Sequence, residues 1–186
     1  MQQKITILVI LLATATIAFG QKSKKEVNWS EIDALVGGKK FRIESTWARA
    51  QGSTGVNAIA GSGLQQAGGS GNRFNLIGNF NYLEMHQDSV SAYLPYFGEK
   101  QFGNGHYSGT NAIEFKGIPK KISVEKNEKK KRYDIRFDID NNTETFQVNI
   151  QLYPSLKSLI TVNSNQRFVI RYDGEAGEVT EGMDNE

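Results

Sequence analysis

The chain has 186 residues, with 22 Lys plus Arg against 20 Asp plus Glu, a formal charge of +2, two histidines and no cysteine. A body this close to neutral supplies no global field to steer nucleic acid or an anionic membrane toward it. The missing thiols exclude disulfides, a cysteine nucleophile, thiolate zinc sites and cysteine-ligated clusters.

Met1 and Lys4 precede an uncharged run from Ile5 to Phe19, and Gly20 then meets Gln21. Ala18 and Gly20 are small residues at the minus-three and minus-one positions of a cut before Gln21, which is the pattern of a secretory signal. The run is short of the about 20 apolar residues a membrane span needs, and Thr14 and Thr16 dilute it. The expectation is therefore an exported chain, periplasmic or extracellular, cleaved after Gly20 and holding no stable membrane span. Removing residues 1–20 from the 186 leaves 166 and lowers the formal charge from +2 to +1 with the loss of Lys4. A domain of about 150 residues buries roughly 70% of the surface its unfolded chain exposes, so one core suffices for stability.

Residues 21–39 read as an N-terminal segment. It contains a short helix from Trp29 to Val36, with Ile32, Leu35 and Val36 on one side and Gly37-Gly38 as a stop signal. From Lys40 the period changes to two. Strands are expected at Phe41 to Trp47, Asn79 to Met85, Ser89 to Tyr93, Ala112 to Phe115 and Ile122 to Glu125. Tyr133, Ile135, Phe137 and Ile139 alternate with Asp134, Arg136, Asp138 and Asp140, so one face is core and the other water. Phe146, Val148, Ile150 and Leu152 repeat the pattern after Asp140-Asn141-Asn142, which makes a hairpin. Leu159 to Val162 and then Phe168, Ile170 and Tyr172 follow, separated by the turn Asn163-Ser164-Asn165. This predicts a mostly β single domain over 40–174, an antiparallel meander forming a sandwich or small barrel of about eight or nine strands. Between Gln51 and Asn72 seven glycines and no charged residue predict a long flexible loop, either an insertion or a lid. The acidic stretch 175–186 reads as a disordered tail.

Several segments together resemble one known family. They are Asp88-Ser89-Val90-Ser91-Ala92-Tyr93-Leu94-Pro95-Tyr96-Phe97-Gly98, Ile113 to Gly117, Val124 to Tyr133, Val162-Asn163-Ser164-Asn165 and Tyr172-Asp173-Gly174. In that order, over roughly Lys40 to Gly174, they are similar to the DUF4251 proteins, exported bacterial proteins without an assigned function. The resemblance implies an exported, mostly β domain and carries over no catalytic residue. The glycine-rich stretch around Asn57 to Asn72 is longer than the family's pattern, so a lid there is not a property of the family.

The densest candidate site is Tyr93 to Gly98. Pro95 cannot donate to a ladder, so the strand from Ser89 ends or reaches an edge there. Leu94, Tyr96 and Phe97 would serve as packing at one end of the barrel. Alternatively Tyr93 and Tyr96 form the rim of a pocket, with Phe97, Phe102 and Tyr107, suited to a small apolar or glycan ligand. His86 and His106 with Glu84 or Asp88 could make a two-histidine, one-carboxylate metal site only if folding joined them, since no HxH or HExxH spacing does so; no metal and no cofactor are expected. Gly61-Ser62-Gly63 lacks the strand-to-helix setting of a hydrolase nucleophile, and the glycine pairs do not open a helix as a phosphate loop does. Lys126 to Arg132 read as a solvated hairpin turn rather than a nucleic-acid contact. The function expected is a non-enzymatic envelope module that binds a small apolar or glycan ligand. The alternative is a structural or protein-interaction domain that engages another envelope protein.

Overall fold

The computed structural model describes residues 27–51, 72–98, 112–142 and 144–179. The expected secretory signal, the body of the glycine-rich stretch, Phe102, His106 and Tyr107 lie outside the described residues.

Helix α1 spans Ser30–Gly38. Asn28 Oδ1 accepts hydrogen bonds from Ser30 N and Ser30 Oγ at 3.0 and 2.7 Å, and Glu31 and Asp33 place negative charge in the first turn, where the helix dipole favours it. The helix runs through Gly37 and Gly38 rather than stopping before them. Lys39 takes the left-handed conformation, φ 48°, and its N–H closes the end on Val36 O at 3.2 Å.

Among the described residues ten strands follow: β1 Lys40–Ala50, β2 Arg73–Asn75, β3 Tyr82–His86, β4 Ser89–Pro95, β5 Ala112–Gly117, β6 Lys120–Asn127, β7 Arg132–Asn141, β8 Glu144–Leu152, β9 Lys157–Ser164 and β10 Ile170–Gly177. All pairings are antiparallel, in the order β5-β4-β3-β1-β10-β9-β8-β7-β6, with the short β2 beside β1. The mostly β, antiparallel expectation holds, and in place of a two-sheet sandwich or closed small barrel the strands form one curled sheet, a half-barrel. The hairpin is as the alternation requires, with Ile135 opposite Ile150, Phe137 opposite Val148 and Ile139 opposite Phe146. All six side chains are buried.

Aromatic packing curls the sheet. Phe115 of β5 meets Phe137 of β7 and Phe146 of β8 at 6.2 and 5.7 Å between ring centroids. Polar side chains hold the same approach: Asn141 Nδ2 donates to Glu114 O at 2.6 Å and Arg167 Nη1 to Ala112 O at 3.0 Å. The concave interior is filled, with Phe41, Phe137, Phe146 and Tyr172 each at most 2% exposed. Helix α1 adds Ile32, Leu35 and Val36 to that core.

Four elements depart from the expectation. The strand expected from Asn79 begins at Tyr82, because Asn81 occupies backbone hydrogen-bonding positions with its side chain. Strand β10 continues to Gly177 with Ala176 buried, so the domain extends past Gly174 and 175–177 are strand rather than tail, while 180–186 of the expected tail lie outside the described residues. Phe168 precedes β10 rather than belonging to it.

The fourth concerns β1. Its register against β10 shifts between Ser45 and Trp47, which makes Thr46 an extra residue, a β-bulge. Simple alternation from Phe41, Ile43 and Ser45 would carry Trp47 and Arg49 inward. The bulge instead buries Ala48 and Ala50 and turns Trp47 and Arg49 to the outer face. Gly174, opposite Ser45, permits this, since a Cβ there would strike Glu44 O and Ser45 Cα.

Candidate functional site

The residues of Tyr93 to Gly98 do not converge. A strand sends successive side chains to opposite faces, so residues an odd number apart cannot share one. Ala92 and Leu94 are buried inward, and Tyr96, just past β4, follows them at 3% exposure. Tyr93 is half-buried on the outer face. A common rim of Tyr93 and Tyr96 is therefore ruled out by parity. Tyr96 donates to Phe168 O at 3.2 Å beneath the Arg167 guanidinium, 5.1 Å from its ring centroid. Gly98 is needed there, because a Cβ would collide with the Tyr96 ring. Phe97 stacks on Phe74 at 4.2 Å and 8°. Pro95 closes β4, and its carbonyl accepts the Tyr172 hydroxyl at 2.8 Å.

Sequence reasoning missed the group behind Tyr96. Arg167 Nε lies 2.8 Å from Glu144 Oε1, both largely buried, and Ser164 Oγ donates to the same oxygen at 2.7 Å. Burial pushes the Tyr172 hydroxyl well above its ordinary pKa, with Tyr96 adding to the shift and Arg167 opposing it. This set of contacts ties β4 and β5 to the segment before β10. It is a clamp on the fold.

His86 ends β3, exposed, with its carbonyl accepting Ser89 Oγ at 3.0 Å. Glu84 faces Arg42 at 3.5 Å and Asp88 faces Lys39 at 3.3 Å. Among the described residues no group of three His, Asp or Glu could hold a metal ion. The basic stretch from Lys126 does turn between two strands, as expected. Lys126 binds Asp33 at 2.7 Å and covers the Trp29 ring at 4.4 Å, while Arg132 bonds Gln151 at 2.7 Å.

The most prominent apolar surface of β3 and β4 is the outer one. Register sets Tyr82 directly opposite Tyr93. Phe80, 66% exposed, packs on both rings, at 5.6 Å from Tyr82 and 5.5 Å from Tyr93. The Arg42 guanidinium lies over Tyr82 at 4.3 Å and pairs with Glu84. Asn81 explains why these rings point outward. Its Oδ1 accepts Ser45 N at 2.8 Å and its Nδ2 donates to Ser45 O at 3.0 Å and Asn79 O at 2.9 Å. Asn81 is thereby pinned inward, and Phe80 and Tyr82 on either side must project. Asn75 Oδ1 accepts Ile77 N at 2.9 Å and Gly78 adopts φ 81°, which turns the chain between β2 and Phe80 and leaves Ile77 68% exposed. Single exposed hydrophobics are ordinary, whereas Phe80 in contact with two further rings forms a patch.

Comparison with known proteins agrees with this architecture. No curated protein matches the chain. Among solved structures, a DUF4251 family protein from Bacteroides eggerthii DSM 20697 is similar over 81% of this chain and 87% of its own, with 12% sequence identity and a TM-score of 0.53, a likeness of fold. The family profile for the domain of unknown function DUF4251 matches residues 23–176, so the chain belongs to the DUF4251 family.

Proposed function

We propose that the protein is a non-enzymatic binding module of the cell envelope that holds a glycan on the outer face of β3 and β4. The observation that carries this reading is the contact cluster of Phe80, Tyr82 and Tyr93, with Phe80 two-thirds exposed. Sugar rings present apolar C–H faces that pack on aromatic rings and hydroxyls that pair with planar polar groups. Arg42, Glu84 and Asn79 supply such groups beside the rings. Burying one exposed phenylalanine contributes about 1.5–3 kcal/mol, roughly tenfold or more in affinity. Export, with residues 1–20 removed, is part of the same reading and would bring the module to where extracellular glycans are.

The test is binding of the purified protein to an array of polysaccharides, with Phe80→Ala/Tyr93→Ala as the comparison. The expected result is retention of one or more polysaccharides by the parent and at least a tenfold loss in the variant, with an unchanged melting temperature. Equal binding by both proteins, or no retention by the parent across the array, would overturn the reading.

A second reading, a protein partner, draws on the edge strand β6. Ile118, Ile122 and Val124 are 77%, 47% and 44% exposed at or beside that edge, the kind of surface a partner's strand could extend. Cross-linking of the exported protein in cells, with and without Val124→Lys, separates this reading from the first.

A further inference from the structure

Beside the aromatic patch, strand pairing assembles a row of arginines. Arg49 of β1 lies directly opposite Arg73 of β2 on one side and Arg171 of β10 on the other. Beyond Arg171 the same row continues through Thr161, Asn149 and Arg136 of β9, β8 and β7. All four arginines are exposed on the outer face.

Such a row works against the fold. Like charges directly opposite each other on neighbouring strands are destabilising. One carboxylate compensates the three-arginine end: Asp173 pairs with Arg49 at 2.6 Å. The Arg73 guanidinium lies on the Trp47 ring at 4.1 Å instead, and among the described residues Arg171 meets no carboxylate. The neighbouring positions are Trp47, Asp173 and Leu159 on one side and Asn163 and Gln147 on the other. The connection from Gln51 to Asn72, which leaves β1 and returns at β2 beside the row, contains no charged residue in its sequence. At the far end Arg136 has Glu125 at 3.7 Å.

The row also depends on the bulge at Thr46. Without that extra residue Arg49 would point into the core, and Arg73 and Arg171 would flank a gap. A local irregularity that turns a cation outward into line with two others is a device for presenting charge.

From this we infer that the glycan of the proposed function is an anionic polysaccharide, whose sulfate, phosphate or carboxylate groups lie along Arg73, Arg49 and Arg171. The inference rests on the glycan reading and adds its charge class. Guanidinium groups meet such oxyanions with paired N–H donors, which is why arginine rather than lysine suits the task. The row crosses strands about 4.8 Å apart, so it fits a linear chain with repeated charges better than one isolated anion. The turn after Asn75 joins this row to Phe80, since Asn75 pairs with Trp47 and its carbonyl accepts Asn79 Nδ2 at 3.5 Å. Rings and cations thereby share one outer surface.

The test compares dextran sulfate with uncharged dextran, which has the same backbone, using the full purified protein. Binding to dextran sulfate is expected to be at least tenfold tighter and to weaken as salt screens it. Arg73→Gln/Arg171→Gln should lose at least tenfold toward dextran sulfate and nothing toward dextran. Lys129→Gln/Lys130→Gln, which removes the same charge from the turn between β6 and β7, should leave both unchanged. Equal affinity for the two polymers, or equal losses in the two double variants, overturns the inference. Dextran binding that needs Phe80 and Tyr93 but ignores the arginines would keep the glycan reading and end this one. Dextran sulfate binding that needs the arginines but ignores Phe80 and Tyr93 would keep the arginine row as an anionic-polysaccharide site and overturn the aromatic patch as the surface that holds the sugar. Arginine-dependent binding to phosphatidylglycerol vesicles with none to dextran sulfate would move the row to a membrane surface and overturn the assignment to a polysaccharide.

Discussion

The two faces of the sheet use aromatic residues for opposite ends. On the concave face Tyr96 and Tyr172 are buried with their hydroxyls bound to backbone carbonyls, and Phe115, Phe137 and Phe146 close the curl. On the convex face Phe80 touches both Tyr82 and Tyr93, and all three rings are at least partly exposed. Neighbours in one short motif, Tyr93 and Tyr96, fall on different sides of that division. Residue type therefore says little about role here, and position along the pleat says nearly everything.

The largest expected effect that separates the faces is at the clamp. Arg167→Ala would leave Glu144 buried without its cation and Ala112 O without a donor, at a cost of about 3–5 kcal/mol. Chemical denaturation should show it as a lower midpoint, and a loss under about 1 kcal/mol would mean that the clamp is dispensable. Next comes a pair of adjacent substitutions. Leu94→Ala removes a fully buried side chain and should cost about 2–5 kcal/mol. At about 2–4 °C per kcal/mol, its melting temperature should fall by at least about 4 °C. Tyr93→Ala, one residue away and facing out, should cost less than about 1 kcal/mol and act on binding instead. Similar losses from both would break the division.

Much of the concave face is legible in the sequence, and the convex face is not. The alternation from Tyr133 to Ile139 and from Phe146 to Leu152 follows from the pleat alone, and the hairpin needs only a short turn. Arg49, Arg73 and Arg171 are far apart in the chain and meet through two separate registers, which no local pattern encodes. The bulge at Thr46 is worse than silent, because alternation through Ser45 assigns Trp47 and Arg49 to the wrong face. Phe80 was obscured by its setting: a strand drawn from Asn79 absorbs it, whereas Asn81 acts as a piece of backbone and delays the strand. The pocket rim expected from Tyr93 and Tyr96 failed for a reason the sequence did contain, the odd spacing between them.

Asn81 is the link between the faces, and its removal should act on stability and binding together. Asn81→Ala leaves Ser45 N and Ser45 O without partners in a buried setting, which costs about 1–3 kcal/mol for each group left unsatisfied. The segment that carries Phe80 would lose its anchor as well, so polysaccharide binding should fall together with stability. Asn81→Asp keeps the acceptor for Ser45 N but sets a carboxylate oxygen against the Ser45 and Asn79 carbonyls in a buried setting, so it should cost at least as much as alanine. A variant that loses stability but keeps full binding would show that Phe80 is positioned by something other than Asn81.

The smallest expected effect is at the seam where α1 meets the sheet. Asp33 accepts from Lys126 and from the Tyr133 hydroxyl at 2.7 Å, and the Trp29 ring stands edge-on to Tyr133 at 6.0 Å. The Lys126 hydrogen bond first, and Tyr133 second, hold the Asp33 carboxyl below its usual 3.8. Its contribution is therefore complete above pH 3.8 and is lost as pH falls through the lowered value. Burial, with Asp33 adding to it, raises Tyr133 from 10.0 to about 12. That contribution is complete below pH 10.0 and fades as pH rises toward about 12, because the unfolded chain releases the proton first. Trp29 emission, read in a Trp47→Phe background, should therefore be level between these limits and change outside both. Asp33→Asn should show part of the acid change already at neutral pH. Because the Lys126–Asp33 pair is half-exposed, this edge of the helix should loosen while Ile32, Leu35 and Val36 stay in the core. A single cooperative loss of Trp29 and core signals would instead show that the seam has no stability of its own and unfolds only with the core.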